Sequence, residues 1–328
     1  MINLERKIEL AKHFPKSERN EVCLEKEENE YIDKCLTVLQ KTSENNFDLS
    51  DEEKEIFILF SNIQRIKDGD IKRFLFRYSS YERAKESIEE KQIRMSSVKE
   101  FNDPFEGILH ADYENASEIE IFRYFYEPIK FNNNALFKLK KDLENVEKRK
   151  EYAGIIRENH KRNVESSGIF CCSGINDSIP MWSHYARSHS GICLEYDILK
   201  DSELFDFVNT VDYTEKFPAS VSWDQAQKDF LKISLMTKAV LWRNEEELRL
   251  IKLESAGKKV DINPDCLKSV IFGLKCEKEF RNELIKIMRE KGYNKNTEIK
   301  EAVKAENAYK LEIKPIGVLS EPLEELTR

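Results

Sequence analysis

The sequence predicts an α+β protein, and three observations carry that expectation. Short aromatic and β-branched runs recur from residue 73 onward, amphipathic stretches with three- and four-residue spacing lie between them, and the two kinds mix without strict alternation. A mixed sheet with helical insertions and an all-helical N-terminal appendage follows. At 328 residues the chain exceeds the usual single-domain size. It divides into a helical extension over 1–70 and an α+β domain over 71–328 that carries a helical insertion at about 116–165.

The elements follow in chain order. "NLERKIELAKHF", "EKEENEYIDKCLTVLQKT" and "DLSDEEKEIFILFSNIQRI" read as helices, with Asp48 or Ser50 suited to cap the third. The acidic run "CLEKEENE" reads as a solvated helix face, with binding of a regulatory protein through 1–70 as the alternative. "RFLFRYSS" reads as a strand, "YERAKESIEE" as a helix and "KQIRMSS" as a second strand. The stretch "NNNALFKLKKDLENVEKRKEYAGIIRENHKRN" reads as one long charged helix. "SGIFCCSG" and "GICLEYDI" are strands flanking a short helix opened by Pro180. Further strands are expected at 207–213, 246–252, 268–273 and 309–314, with helices at roughly 222–238 and 277–292.

Composition narrows the class. With 40% hydrophobic and 35% charged residues but only 10 Gly and 8 Pro, the chain has the make-up of a soluble, folded protein. A net charge of −8 argues against nucleic-acid binding through the overall field, although 54 Lys and Arg leave room for a local basic groove. Seven cysteines at irregular spacings, with no apolar N-terminal leader, point to a reducing cytoplasm without disulfides. No apolar run approaches the ~20 residues of a membrane helix. The cysteines lack a zinc pattern, and no metal is expected.

No phosphate loop, dinucleotide glycine fingerprint, metalloprotease helix or serine-hydrolase elbow is present. Four other clusters carry polar chemistry. Arg77 and Tyr78 end the first strand. The turn "SSVKEFNDPFEG" begins at Ser96 and places Asn102, Asp103 and Pro104 between two phenylalanines. Phe101 and Phe105 are expected inside, with Asn102 and Asp103 facing a cleft or pinning the loop. "MWSHYARSH" offers Trp182 and Tyr185 as ring surfaces, and His184 and His189 are spaced too poorly for a joint metal site. In "KAVLWRNEEELRLIK" a strand would put Glu245, Glu247 and Arg249 on one face and Glu246, Leu248 and Leu250 on the other. That face is either an exposed charged edge or a site.

Together, "LFRYSS", "FNDPFEG", "GIFCCSGINDSIPMWSHYARSHSGICLEYD" and "KAVLWRNEEELRLI" resemble a bacterial family catalogued as domain-of-unknown-function family 2971, over roughly residues 72–275. Their order also resembles, more faintly, the ADP-ribosyltransferase superfamily, which implies a split β-sheet core and NAD as substrate. On that resemblance Glu247 stabilises the positive ribose and Glu245 positions or deprotonates the acceptor. Arg77 contacts the pyrophosphate, and Tyr78, Trp182 and Tyr185 stack on the nicotinamide. His184 bonds ribose or carboxamide, and Ser96, Asn102, Asp103 and Arg249 complete the NAD pocket. The implied role is a toxin or anti-phage defence effector modifying nucleic acid or protein. The alternatives are a non-catalytic nucleotide- or nucleic-acid-binding signalling protein and an NAD or nucleotide hydrolase.

Overall fold

A computed structural model describes residues 51–108, 121, 133–216 and 227–326. The helices expected within 1–50, with Asp48 and Ser50, lie outside the described residues, as does most of 116–132. In chain order the strands are β1 (Phe74–Ser79), β2 (Gln92–Arg94), β3 (Ser96–Ser97), β4 (Gly168–Ser173), β5 (Ile192–Asp197), β6 (Val208–Thr210), β7 (Asp212–Thr214), β8 (Thr237–Ala239), β9 (Glu247–Lys252), β10 (Lys259–Asp261), β11 (Leu267–Phe272), β12 (Glu298–Lys304) and β13 (Leu311–Val318). The longer helices are α1 (Asp51–Lys67), α2 (Tyr81–Glu90), α3 (Asn133–Leu143), α4 (Val146–Ser166), α5 (Ile179–His184), α6 (Gln227–Met236) and α7 (Lys278–Glu290).

The main sheet runs β13-β12-β11-β5-β1-β4-β9-β6, with β3 paired to β4. Its ladders are antiparallel except β11 with β12, so the α+β class holds. Strand β5 is buried at every position, and its two carboxylates are neutralised in place. Asp197 accepts from Arg73 at 3.1 and 2.7 Å, and Glu195 pairs with Lys300 at 2.8 Å.

Three expectations need correction. The single helix expected over 132–163 is two helices, because Asn145 caps the second by accepting from the amides of Glu147 (2.8 Å) and Lys148 (3.2 Å). The strand expected at 207–213 is two, β6 in the main sheet and β7 paired with β8. Strands β8 and β10, of three residues each, and β12, "EIKEAVK", whose buried Ile299 and Ala302 break a period of two, were not expected.

The last helix of the expected extension is docked on the domain. Phe60 and Ile63 of α1 are buried, and Arg65 donates to the Asp206 carbonyl (3.0 Å) and to Asn209 Oδ1 (3.1 Å) beside β6. Among the described residues no helix is long and apolar enough to cross a membrane.

Two apolar layers cover the sheet. One contains Leu75 with Tyr81, Ala84 and Ile88 of α2. The other contains Phe76 and Tyr78 with Met181 and Trp182 of α5. Because alternate β1 side chains divide between the layers, α2 and α5 cover opposite faces. Strand β1 pairs with β5 over six residues but with β4 only at Phe76↔Ser173. Beyond that pair the two strands part, and the sheet forks. Across the gap Arg77 Nη1 donates to the Cys171 carbonyl at 2.6 Å.

The start of β5 fixes one side of this region. Arg187, Ser188 and His189 take left-handed φ values of 47°, 55° and 71° before the chain passes Gly191 and enters β5. A Cβ at Gly191 would lie 2.2 Å from the Ser79 carbonyl oxygen, a backbone atom that no rotamer change can move. Gly191→Ala is expected to lose on the order of 1–3 kcal/mol of stability by overpacking, measured by chemical denaturation.

Candidate functional site

The site is built around a nearly dry charge cluster. Arg249, on β9, is fully buried and uses all five of its N–H donors. Nε and Nη2 donate to Glu247 at 2.8 and 2.9 Å, Nη1 and Nη2 to Glu106 at 2.7 and 2.8 Å, and Nη1 also to the Leu235 carbonyl at 2.6 Å. The Leu235 carbonyl ends α6, where a cation is well placed. The Phe101 ring lies 5.1 Å from the guanidinium.

Lys238, on β8, holds the same carboxylates from the other side. Its ammonium lies 2.5 Å from Glu245, 2.9 Å from Glu247 and 3.5 Å from Glu106, against the Trp242 ring at 5.0 Å. It fills the position that a divalent cation would take among three carboxylates. Among the described residues no group of His, Cys, Asp or Glu is arranged to hold a metal ion. Glu245 Oε1 also accepts from the Tyr185 hydroxyl (2.8 Å), which in turn accepts from Asn102 Nδ2 (3.3 Å).

These contacts set protonation. Burial would raise the Glu247 carboxyl, but the Arg249 guanidinium and the Lys238 ammonium outweigh it and hold the group at about 2. Glu247 is therefore a permanent anion near neutral pH. Burial, then the Glu245 carboxylate, pushes the Tyr185 phenol up, so it stays a hydroxyl. Burial and Glu247 likewise raise the Cys171 thiol, which lines the cleft as an un-ionised group.

The cluster forms the floor of a cleft of about 260 Å³ at the fork between β1 and β4. Of the residues singled out in the sequence, Arg77, Tyr78, Ser96 and Asn102 line it on the β1 and turn side. His184, Tyr185, Glu245, Glu247 and Arg249 line it as well. Glu245 arrives differently from expectation: it ends a 3₁₀ turn over Val240–Glu245, and β9 begins only at Glu247. Glu246, at φ 42°, makes the bend between them.

Several assignments change. Trp182 is fully buried, donates to the Asn176 carbonyl at 2.8 Å and meets the Tyr78 ring edge-on at 5.2 Å, so it supports the wall and offers no stacking surface. Tyr78 is itself tied to the Ile175 carbonyl at 2.9 Å. Arg249 has no donor left for a ligand and is a positioning residue. Asp103 is buried outside the cleft lining, and its Oδ1 accepts from the Phe105 amide at 2.9 Å. That Asx turn swings Phe105 outward, 58% exposed, and Glu106 inward. Phe101 is half-buried against Arg249, as expected of an anchor; Phe105 is not one.

Glu106 and Lys238 were missed, although both lie inside motifs quoted above. The available signal was the lone acid after "NDPF" and the lone cation before "AVLW". Comparison of the chain with protein-family models, curated proteins and solved structures finds no match.

Two outcomes follow from the geometry. Glu247, with its pKa lowered in the folded state, contributes stability above the unfolded value of ~4.3 that is lost as pH falls toward its folded value. Melting temperatures measured from pH 7 downward are expected to fall through this window in the wild type and to fall less steeply in Glu247→Gln. Phe105→Ala is expected to change stability by no more than ~0.5 kcal/mol in chemical denaturation, since its ring is mostly in water.

Proposed function

We propose that the protein is an NAD-consuming enzyme of ADP-ribosyltransferase type, with the split-sheet core of that superfamily, acting as a toxin or anti-phage effector on a nucleic-acid or protein acceptor. One observation carries the reading. Three carboxylates face two cations in a nearly dry cluster at the floor of a cleft, which leaves one uncompensated negative charge where a cationic group would bind. Nicotinamide in NAD is cationic, and its departure moves positive charge onto the ribose. An anion that needs no reorganisation serves both states and gains most from the second.

The step balances as follows. The bond between ribose C1′ and the nicotinamide nitrogen breaks, and nicotinamide leaves with the electron pair. Glu247, never protonated near neutral pH, faces the resulting oxocarbenium. The acceptor's nucleophile bonds to C1′ and gives its proton to Glu245, whose orientation Lys238 and Tyr185 fix. Asn102 supports this arrangement through Tyr185. Arg77 has one N–H on a neutral carbonyl and keeps the rest for phosphate. A cleft of about 260 Å³ falls just below the ~300–1,000 Å³ of pockets that enclose drug-sized ligands, which suits the nicotinamide ribose end alone.

The test incubates folded protein with NAD labelled in its ADP-ribose part, together with DNA, RNA and cell protein. Nicotinamide release and a labelled acceptor are expected, both reduced by about 10²-fold or more in Glu247→Gln. Glu247→Gln removes the surplus charge but leaves Arg249 and Lys238 one acceptor oxygen short, so it is expected to melt lower, and turnover is compared at a temperature where circular dichroism shows both proteins folded. Nicotinamide without labelled acceptor would assign hydrolysis instead, and no NAD consumption would reject both. Asn102→Ala, at an exposed position, should reduce turnover by roughly tenfold with an unchanged melting temperature. Equal turnover would reduce the turn to a structural clamp.

A further inference from the structure

A second cavity, of about 320 Å³, adjoins the first and shares Arg77, Arg83 and Ser96 with it. It lies beneath α2, with Ile93, Phe170 and Leu194 giving it an apolar lining. The two cavities therefore meet at the fork in the sheet, one toward α5 and the other toward α2.

The cations around this junction fall into two groups. Arg94 donates to both oxygens of Glu100 at 2.7 and 3.0 Å. Lys259 bridges Glu86 at 2.7 Å and Glu90 at 2.5 Å. Lys238 and Arg249 are consumed by the charge cluster. Arg77 and Arg83 are different: among the described residues neither side chain pairs with a carboxylate. Glu86 and Glu100 feel the Arg83 charge, yet each is already bonded to another cation. Arg77 bonds the Cys171 carbonyl and lies 5.2 Å from the Phe170 ring centroid, and Arg83 extends from the first turn of α2 to line both cavities. Two guanidiniums left without anions, in a wall where every other cation has one, leave room for an anion between the cavities.

We infer that Arg77 and Arg83 clasp the pyrophosphate of a dinucleotide whose nicotinamide ribose occupies the first cavity and whose second nucleoside occupies the second. This rests on the NAD reading above and extends it, because it assigns the distal half of the substrate to the α2 side and gives Arg83 a role in binding. The two volumes, each near the lower limit for a drug-sized ligand, together accommodate what neither holds alone. Two planar guanidiniums that line both cavities suit two linked phosphates, each offering paired oxygens.

The experiment is calorimetric titration of wild type and Arg83→Gln with ADP, nicotinamide riboside, inorganic pyrophosphate and NAD. Arg83 is exposed on α2, so the variant is expected to fold. ADP and NAD should bind Arg83→Gln more weakly by roughly tenfold or more, whereas nicotinamide riboside, lacking phosphate, should bind both proteins equally. ADP affinity unchanged in Arg83→Gln would overturn the clasp. Pyrophosphate binding as tightly as ADP would also overturn it, by showing an anion site without a nucleoside seat. ADP binding that depends on Arg83, without any NAD turnover, would support the clasp and reject the transferase reading. NAD turnover with Arg83-independent ADP binding would do the reverse.

Discussion

Arg249 is a guanidinium with no water around it, and its need for five acceptors organises the site. A buried cation left short of partners costs several kcal/mol, so the chain must bring acceptors to it. They come from three places: Glu247 two residues away on the same strand, the Leu235 carbonyl at the end of α6, and Glu106 from a turn 143 residues distant in sequence. The turn over 101–107, the end of α6 and the register of β9 are thus fixed by one side chain. Such a network adds little net stability over an apolar packing of the same volume, but it penalises every arrangement in which one member is missing. Its product is a uniquely placed carboxylate.

The same arithmetic of charge shapes the chemistry. Each carboxylate is held by at least one cation, which fixes geometry, yet the cluster's own cations are one too few, which leaves the floor of the cleft negative while Arg77 and Arg83 at the junction are positive. A fully balanced cluster would be rigid and inert toward a cationic ring, and an unpaired carboxylate in this setting would take up a proton. Holding one surplus charge between two shared cations keeps Glu247 ionised and still attractive to positive charge.

Much of the scaffold was legible because its central strands are apolar runs bounded by glycine or serine. The "GIFCCS" and "ICLEYD" strands and the Pro180-opened helix are unambiguous on that ground. Strand β12, paired on both sides by β13 and β11, was not, since its partly buried, charged positions obscure the alternation. Within the site, Glu247 and Arg249 declared themselves by alternate spacing on one strand. Glu106 and Lys238 did not, because each looks like an ordinary solvated charge until its distant partners are brought near. Trp182 and Phe105 were misplaced for a related reason: sequence shows that a ring sits beside polar residues but not which side of the backbone it leaves. The Asx turn at Asp103 and the α5 packing decide that, and both depend on the fold.

The single residue pair that joins β1 to β4 has a consequence for the backbone itself. Past that pair, two strands in the middle of a sheet behave as edges, with peptide groups that their neighbour on that side does not serve. One of these, the Cys171 carbonyl, is served by the Arg77 side chain, which stands in for a missing rung of the ladder. The molecule thereby gains a slot within its main sheet. One border of the slot is β1, held along its other edge by six pairs to β5, and the other is β4, held by six pairs to β9, so the sheet rather than a loop sets its position.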